Sequence, residues 1–515
     1  MAATPNPTPR HYRVVVVGGG LAGLAAARLL HDHYHADADA DADAHAHKAQ
    51  VLLLEAAPTL GGRIQHVTGL APWPVEIGPE FIHGTMNSSF KDIADQMGCE
   101  MRELPYPDRY YLGSERRMLS SDEVQEHEDI QRVHEYFQGI ASEDPDAPDI
   151  SMAEYLQRRG ANDTITQLAE SIYANDFGCS LKQLGVRECI QEAQNWIYGD
   201  TYLILDRPMS SVVDFIAKGL KVRLDWFVQH VEYGTHGVKL QSSDGRIVTA
   251  DYVILAVPVS ILQYGVPTFK PPLPKVKVEA IDSIGMNNCV KVLMAFSDRF
   301  WPEDMFDVVC THCFLPEFWM THYPTTFSHT DEQAALGKFV VVGFMTGEVA
   351  AAASKLPEAE VISKSLRQLD EIFGDLPKTV EDCEYSACCH GTKAISSFKE
   401  LHLGPGKRHK VLTRDHLHID VCGSAECARS RPASTWFQGG SVVNWEQESF
   451  VRGGYTYPSV NAHGARSILA APLEKRVFFA GEATHPGVNP CMQAAIDTGR
   501  RAARQILSLE VLSRL

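Results

Sequence analysis

Glycines near the start of the chain have a spacing that suits the binding of phosphate groups. Gly18, Gly20 and Gly23 form a GxGxxG pattern directly after the apolar run 13–17 (RVVVV). Such glycines allow a tight turn and a close approach of the backbone to a pyrophosphate, and the N–H groups of the following helix point at the phosphates. Glu55 ends the next apolar run, VLLLE, where a carboxylate can accept hydrogen bonds from ribose hydroxyls. The pattern therefore predicts a dinucleotide site.

A low-complexity tract separates this glycine turn from Glu55. Glu55 lies further from Gly23 than the ~20 residues usual for such a motif, and residues 36–47 (ADADADADAHAH) account for the excess. We expect a solvated loop insertion there, because the tract contains no large apolar side chain that can pack. The alternative is a weak metal site built from its Asp and His side chains.

Two more glycines and an arginine follow Glu55 in the motif EAAPTLGGR, which ends at Arg63. Gly62 brings the backbone close to a cofactor, and Arg63 either meets a phosphate or closes an internal salt bridge. The motif resembles the FAD-binding amine oxidase superfamily, and plain NAD enzymes lack it. The resemblance implies that the dinucleotide is FAD.

The C-terminal part of the chain resembles the second FAD signature of the same superfamily. It consists of FAGEAT at residues 479–484 and the segment MQAAIDTGRRAA, which begins at Met492. The resemblance places Gly481 and Glu482 under the pyrophosphate and the ribityl chain, and the helix that begins at Met492 against the pyrimidine edge of the flavin. A helix N-terminus there stabilises negative charge on the reduced flavin. One departure is Ala494, where the family usually has Gly.

The segment EIGPEFIHG, residues 76–84, resembles the part of amine oxidases that runs past the flavin ring. The resemblance makes Gly78 a cofactor contact. The ending Ile-His-Gly is similar to the spermine and acetylpolyamine oxidases, whose His lines the substrate channel, although Phe81 stands where they usually carry Trp. Phe81 and His83 are therefore candidate substrate contacts, and His83 is a candidate catalytic residue that tunes the protonation of the amine. The alternative is a structural His hydrogen-bonded near the flavin.

Lys291 interrupts the apolar strand VKVLMAF, where a buried ammonium is costly unless it has a purpose. The family has a lysine at this place, and the resemblance implies that Lys291 is catalytic and reaches flavin N5 through a water. The alternative is a lysine on an edge strand that faces solvent. The resemblance also implies that the backbone of Val231, on a predicted strand 228–233, meets the adenine.

The segment FVRGGYTY, residues 450–457, resembles another family segment that passes the flavin. It makes Tyr455 a candidate substrate contact, as one wall of an aromatic cage for an amine. Monoamine oxidases carry their covalent flavin cysteine just after the Gly-Gly, where this chain has Tyr455, so we expect non-covalent FAD. Their second cage tyrosine is replaced by Cys491. Both departures argue against a monoamine oxidase proper.

The acidic composition limits the classes of partner. The chain of 515 residues has a formal net charge of −18. An acidic surface argues against nucleic acid and attracts cationic substrates. No apolar run reaches the ~18–20 residues that cross a bilayer, and the N-terminal sequence lacks the apolar core of a secretory signal, so we expect neither a membrane protein nor a secreted one.

The cysteines are expected to be reduced and free of metal, as is usual without a secretory signal. Cys310 and Cys313 have zinc-like spacing, and Cys388, Cys389 and His390 offer further ligands if the fold brings them close. Buried or idle thiols are the preferred interpretation.

The order of the motifs predicts the fold. We expect a mixed α/β fold in which a Rossmann-like FAD-binding domain is interleaved with a substrate-binding domain of mixed sheet and helices. Residues 10–90, 209–267 and 437–510 are assigned to the FAD-binding domain. Residues 91–208 and 268–436 are assigned to the substrate-binding domain.

The function implied by the resemblance is oxidation of a C–N bond in a polyamine or acetylpolyamine. Hydride passes to flavin N5, and water and oxygen then give an aldehyde, a shorter amine and hydrogen peroxide. One alternative is an L-amino-acid oxidase, in which Arg452 would grip the substrate carboxylate. Another is a flavin-bound redox or interaction protein without catalysis. A histone-lysine demethylase is disfavoured, because the sequence shows neither a long helical insertion nor an extra N-terminal domain.

The last residues, Ser513-Arg514-Leu515, are a variant of the Ser-Lys-Leu address read by the peroxisomal import receptor. Import needs an exposed tail, and we expect one because the last helix is predicted to end near Leu507. The peroxisome is therefore the expected location, and the cytoplasm is the alternative.

Overall fold

The computed structural model of the chain describes residues 10–38, 50–104, 109–146, 148–321, 335–374, 399–403, 407–417, 429–487 and 490–514. Two large sheets and the helices around them make up most of these residues. The strands are β1 His11–Val17, β2 Val51–Leu54, β3 His66–Val67, β4 Val75–Glu76, β5 Ile82–His83, β6 Met101–Glu103, β7 Arg109–Leu112, β8 Arg117–Met118, β9 Tyr202–Leu205, β10 Val222–Arg223, β11 Val228–Gly234, β12 Gly237–Ser242, β13 Ile247–Leu255, β14 Thr268–Lys270, β15 Cys289–Phe296, β16 Asp307–Thr311, β17 Glu317–Thr321, β18 Phe339–Thr346, β19 Lys399–Leu403, β20 Lys407–Thr413, β21 Phe437–Asn444 and β22 Val477–Phe479. The helices are α1 Leu21–Ala38, α2 Ser89–Gln96, α3 Ser121–Glu126, α4 Glu128–Gln138, α5 Met152–Arg158, α6 Asp163–Ala169, α7 Asn175–Phe177, α8 Val186–Asn195, α9 Ser210–Ala217, α10 Val259–Gln263, α11 Lys275–Ser283, α12 Gly347–Ala353, α13 Glu358–Phe373, α14 Arg414–Leu417, α15 Pro432–Trp436, α16 Ala465–Ala470 and α17 Met492–Arg514.

The first sheet has the strand order β10-β2-β1-β13-β12-β11-β14, with β22 also paired to β13. β1 runs parallel to both β2 and β13, and Val17 at its end is level with Leu54 and Leu255. Because the carboxyl ends of these parallel strands meet at one edge, the glycine turn after β1 and Glu55 after β2 are brought together there. A turn at Asp244-Gly245 joins the antiparallel strands β12 and β13.

Helices cover both faces of the first sheet. Val14 and Val16 point into a core shared with α1, α9 and α17, whereas Val15 and Val17 point into a core shared with α11 and α16. Successive residues of a strand face opposite sides, so a strand covered on both faces must be apolar throughout. This arrangement explains why β1 ends in four consecutive valines.

The last helix is longer than predicted. α17 continues to Arg514, so the prediction that it ends near Leu507 was wrong. Glu510 explains the extension, because its buried carboxylate accepts hydrogen bonds from Arg13 of β1 at 2.6 Å and from Tyr34 of α1 at 2.9 Å. These contacts hold the final turns of the helix against the first sheet.

The second sheet has the strand order β19-β20-β21-β15-β18-β17-β16-β7-β8. β15 lies between β18 and β21, antiparallel to both, and all eight of its residues are buried. The alternative that Lys291 sits on an edge strand and faces solvent was therefore wrong. The lysine lies on a central strand of a covered sheet.

The two sheets contain the predicted mixture of parallel and antiparallel strands, and the predicted α/β class is confirmed. Two elements fall on the other side of the assigned domain boundaries. β14, at 268–270, pairs with β11 in the first sheet, and β21, at 437–444, pairs with β15 in the second. The first of these pairings is parallel and the second antiparallel, and both join segments distant in sequence, which periodicity alone does not reveal.

The region between residues 121 and 195 is helical and packs beside the second sheet. α5 ends at Arg158, and Gly160 follows with a left-handed φ of 76°. Asn162 then caps α6 by accepting a hydrogen bond from the N–H of Ile165. A π-helical turn, 170–174, follows α6.

The low-complexity tract 36–47 is described only at its start, where residues 36–38 end α1, and the rest lies outside the described residues. Cys388, Cys389 and His390 also lie outside them. Among the described residues, no group of His, Cys, Asp or Glu side chains could hold a metal ion. In the same part of the chain, no helix has the length and apolar character that a membrane span requires.

Candidate active site

A cavity of about 990 Å³ lies between the carboxyl edge of the first sheet and the second sheet. The structure brings most of the predicted site residues to its wall. They are Gly18, Gly20, Glu55, Gly62, Arg63, Gly78, Phe81, His83, Lys291, Tyr455, Gly481, Glu482 and Met492. Cys491, at the replaced cage position, lines it as well.

Two predicted cofactor residues are not on the wall. Gly23 packs against the backbone of the glycine turn itself. Val231 is buried within the first sheet, where β11 pairs with β12 and β14, and it is not among the described residues that line the cavity. Val228, at the start of the same strand, does line it.

The glycine turn after β1 depends on close backbone contacts. A Cβ on Gly23 would lie 1.8 Å from the carbonyl oxygen of Gly18, whereas a Cβ on Gly20 would have no described protein atom within 4 Å. Gly18 itself has a left-handed φ of 106°. Gly23 thus lets α1 approach the turn, and Gly20 leaves an open cradle at the N-terminus of α1, where a phosphate binds favourably.

Glu55 is held rigidly beside this cradle. Its buried carboxylate accepts hydrogen bonds from the N–H of Gly19 at 2.5 Å and from the N–H of Ala57 at 2.7 Å. The side chain also lines the cavity. This position agrees with a role in contacting a ribose at the end of β2.

Arg63 forms an internal salt bridge with Glu482. Its guanidinium donates to Oε1 of Glu482 at 3.0 Å and to the carbonyl of Gly454 at 2.9 Å. The other oxygen of Glu482 accepts from the hydroxyl of Thr456, and that hydroxyl also accepts from Arg466 at 2.9 Å. The contact with Glu482 is the internal salt bridge predicted as one of the two roles of Arg63, and the side chain also lines the cavity.

The same network of contacts extends to α8 in the helical region. Arg466, which is 2% exposed, forms a salt bridge of 3.2 Å with the buried Glu188 of α8. A buried guanidinium of this kind needs several partners, and Arg466 also donates to the carbonyl of Tyr457. We call the five residues Glu188, Arg466, Thr456, Glu482 and Arg63 the polar network.

Lys291 projects from the centre of β15 toward the segment 76–84. Its Nζ donates to the carbonyl of Gly78 at 2.7 Å and lies 3.7 Å from Oε2 of Glu80. The indole N–H of Trp319 donates to the same oxygen at 2.9 Å, and the ammonium lies 5.0 Å from the centre of the Trp319 ring. Lys291, Glu80 and Trp319 all line the cavity and are buried.

Aromatic side chains surround this ion pair. The Phe81 ring packs edge-on against Trp319 at 5.3 Å and against Phe306 at 5.9 Å, so Trp319 and Phe306 supply aromatic surface beside the position where the family usually has Trp. Tyr455 donates its hydroxyl to the carbonyl of Asp176 at 2.7 Å, which fixes its ring on the wall. Such rings offer π-faces to a cationic or neutral amine.

His83 lines the cavity and packs edge-on against Tyr202, with the ring centres 4.5 Å apart. Burial lowers the pKa of His83 to about 4, so its imidazole is neutral at physiological pH. Its backbone carbonyl accepts from Gln493 of α17. The neutral imidazole adds no positive charge to the cavity.

Carboxylates from separate elements line the same cavity. Asp176 belongs to α7, Glu192 to α8, Asp307 to β16 and Glu317 to β17. Asn175 donates to Glu317 at 3.0 Å. The lining of the cavity therefore combines aromatic rings with carboxyl groups.

Several of these residues were missed from the sequence. Glu80 stands inside a motif that resembled a family segment, and an acid between Pro79 and Phe81 in an otherwise apolar stretch was an available signal. Trp319 and Arg466 gave no such signal, because their contacts join segments far apart in the sequence.

The geometry defines a class of protein: a dinucleotide-binding sheet joined to a second sheet, with a buried lysine between them. A model of flavin-containing amine oxidoreductases matches residues 21–398 and 426–507. The chain belongs to this family. The predicted resemblance is thereby confirmed.

Known relatives are distant. The chain is 24% identical over 525 residues to mouse lysine-specific histone demethylase 1B, covering 98% of this chain and 54% of that protein. It is 22% identical to polyamine oxidase 2 of Arabidopsis thaliana, covering 80% of this chain and 82% of the relative. The chain thus spans little more than half the length of the histone demethylase.

Solved structures share the fold. Wild-type putrescine oxidase bound to putrescine matches with a TM-score of 0.70 at 16% identity, covering 97% of this chain and 99% of that one. Cyclohexylamine oxidase from Brevibacterium oxydans IH-35A has the same TM-score and coverage at 18% identity.

The family is flavin-containing, and the cofactor of the chain is FAD. The residues present fit this group. The open space over Gly20 at the N-terminus of α1 would take the pyrophosphate, Glu55 would take a ribose, and the wall from Gly78 to Gly481 would take the flavin. When bound, FAD supplies the acceptor for the electrons removed from the substrate.

Proposed function

We propose that the enzyme oxidises a C–N bond of a polyamine or acetylpolyamine. The amine, oxygen and water give an aldehyde, a shorter amine and hydrogen peroxide. The observation that carries this proposal is the lining of the cavity, where carboxyl groups and aromatic rings from separate elements face the same space as Lys291. Relatives named polyamine oxidases support the substrate class.

The reacting nitrogen must be neutral, because a protonated amine has no lone pair to assist loss of hydride from the adjacent carbon. Free alkylamines resemble the lysine side chain, with a pKa of ~10.4, so the site has to favour the neutral form. The rings of Phe81, Trp319 and Tyr455 supply a desolvating surface around Lys291. The neutral His83 can accept a hydrogen bond from such an amine.

The remaining nitrogens of a polyamine stay protonated and need counter-charges. Asp176, Glu192, Asp307 and Glu317 line the cavity and can provide them. The net charge of −18 adds long-range attraction for a polycation. A monoamine would use only part of this lining.

Two alternatives differ in their support. For an L-amino-acid oxidase, Arg452 would have to face the substrate, but its guanidinium lies over the Tyr264 ring at 4.4 Å and is not among the described residues that line the cavity. Histone demethylases match over 98% of the chain at an identity similar to that of the polyamine oxidases, so they are the second candidate class. The cavity must hold FAD as well as substrate, which favours a small linear amine over a long peptide.

A peroxide-release assay tests the proposal. Spermine, N-acetylspermine, tyramine, benzylamine, L-leucine and a histone-tail peptide with dimethyl-lysine are compared at equal enzyme concentration. We expect kcat/KM for a polyamine to exceed that for each monoamine by about tenfold or more, because one charge-assisted contact contributes ~1.5–3 kcal/mol. Faster turnover of any of the other four compounds than of both polyamines would contradict the proposal.

We also propose a peroxisomal location, supported by Ser513-Arg514-Leu515 and by the chemistry of a peroxide-forming oxidase. α17 continues to Arg514, but the side chains of Val511 and Leu512, just before this tripeptide, are exposed. A fluorescent protein fused in front of the final ten residues is expected to appear in punctate organelles that contain catalase. The same fusion without Ser513-Arg514-Leu515 should be diffuse. A diffuse signal from the intact tail would return the assignment to the cytoplasm.

A further inference from the structure

We propose that Glu80 is a positioning residue for Lys291: its carboxylate fixes the ammonium against the Gly78 carbonyl and offsets its charge beside the flavin. The two side chains form an ion pair of 3.7 Å, and each is 4% exposed. The proposal rests on the FAD cofactor and on Lys291 facing the flavin. It does not depend on which amine is the substrate.

The backbone that carries Glu80 is rigid. A Cβ on Gly78 would lie 1.8 Å from the carbonyl oxygen of Arg63, and the N–H of Ile77 donates to the carbonyl of Gln65 at 2.9 Å. Pro79 restricts the chain between Gly78 and Glu80. The acceptor carbonyl and the carboxylate are therefore presented to Lys291 from one fixed segment.

Contacts around Glu80 hold its carboxylate toward Lys291. Oε2 accepts the indole N–H of Trp319, and this indole belongs to β17, two strands from Lys291 in the second sheet. Burial raises the pKa of Glu80, whereas the Lys291 ammonium and the Trp319 N–H favour its ionised form. Burial also raises the pKa of the neighbouring Glu76 to about 8, which keeps that carboxyl neutral at pH 7.

A paired lysine has a consequence for a cationic substrate. Lys291 alone would place a net positive charge in the cavity that has to admit an amine. With Glu80 the pair is neutral overall but still provides an ammonium donor. The pair also sets the electrostatic field at the flavin, because a positive charge favours the more negative reduced form.

The test measures the midpoint potential of bound FAD in wild type, Glu80→Gln, Lys291→Met and the double variant, without substrate. We expect Glu80→Gln to shift the equilibrium toward reduced FAD by about tenfold, which is about 30 mV upward for two electrons. Lys291→Met should shift it downward by a similar factor. The double variant should return close to the wild-type value, because both charges are absent.

Asp370→Asn is the matched control. Asp370 is a buried carboxyl, 3% exposed, that accepts from Ser434 and is not among the described residues lining the cavity. It should leave the potential unchanged even if it lowers the melting temperature. If Glu80→Gln loses its FAD, the double variant still has to match the wild-type potential.

An unchanged potential in Glu80→Gln, or a double variant that follows Lys291→Met, would overturn the proposal. Because no substrate is present, neither result bears on the polyamine assignment. Conversely, a substrate other than a polyamine in the peroxide assay would leave these potentials as expected.

Discussion

Lys291→Met is expected to retain bound FAD and to slow turnover roughly 100-fold, the lower part of the range for losing a side chain that assists proton transfer. Met fills nearly the same volume on the buried strand β15, so packing against Phe344 and Val443 survives. The contacts of Nζ with Gly78 and Glu80 are lost. Stopped-flow absorbance of the flavin separates the reduction by amine from the reoxidation by oxygen.

Lys277→Met provides the matched control for loss of a buried lysine. Lys277 is 3% exposed and donates to the carbonyls of Ile468, Leu469 and Ala471 at the end of α16, away from the cavity. It should reduce stability but leave the turnover of the folded, FAD-loaded enzyme unchanged. Wild-type rates in both half-reactions of Lys291→Met would remove Lys291 from the mechanism.

Gly20→Ala is expected to leave the protein folded and to weaken FAD binding by roughly 10- to 100-fold, since overpacking a close contact costs ~1–3 kcal/mol. No described protein atom lies within 4 Å of the added methyl, and Gly20 has no left-handed φ. The methyl would instead occupy the cradle where the pyrophosphate passes. The ratio of flavin to protein absorbance after purification, followed by titration of the apoprotein with FAD, measures the loss.

Gly23→Ala should behave differently, because its methyl would meet the Gly18 carbonyl of the protein itself at 1.8 Å. The turn must shift, so we expect a lower melting temperature of the apoprotein, whereas Gly20→Ala should melt like the wild-type apoprotein. A Gly20→Ala variant with full FAD affinity would show that the cofactor does not pass over this turn.

Local chemistry made the first part of the fold predictable. β1, the start of α1 and β2 follow from an apolar run, a glycine turn and a second apolar run, each of which has a structural meaning within a few residues. Lys291 was also recognisable, because a charge inside an apolar strand must have a partner. That it would lie at the centre of the second sheet was not recognisable, since the pairing of β15 with β18 and β21 joins distant segments.

Where the sequence did not predict the structure, the reason was a contact with a residue far away in the sequence. Arg63 could meet a phosphate or a carboxylate, and the carboxylate that it contacts, Glu482, lies more than four hundred residues later. α17 extends beyond its predicted end because Glu510 accepts hydrogen bonds from Arg13 and Tyr34, which lie near the other end of the chain. In each case the deciding partner is remote in sequence, where composition and periodicity carry no information.

We expect the polar network to couple the binding of FAD to the order of the helix α8 beside the cavity. The network runs from Arg63 and Glu482, on the wall that would hold FAD, to Glu188 of α8, the helix that also carries Glu192. A ligand that binds only the folded form stabilises it by ~2.7 kcal/mol at one hundred times its Kd. Part of that gain is expected in α8, so the amide hydrogens of this helix should exchange faster in the apoprotein than in the FAD-loaded enzyme. The concentration of FAD would then determine which fraction of the protein molecules has an ordered α8 beside the cavity.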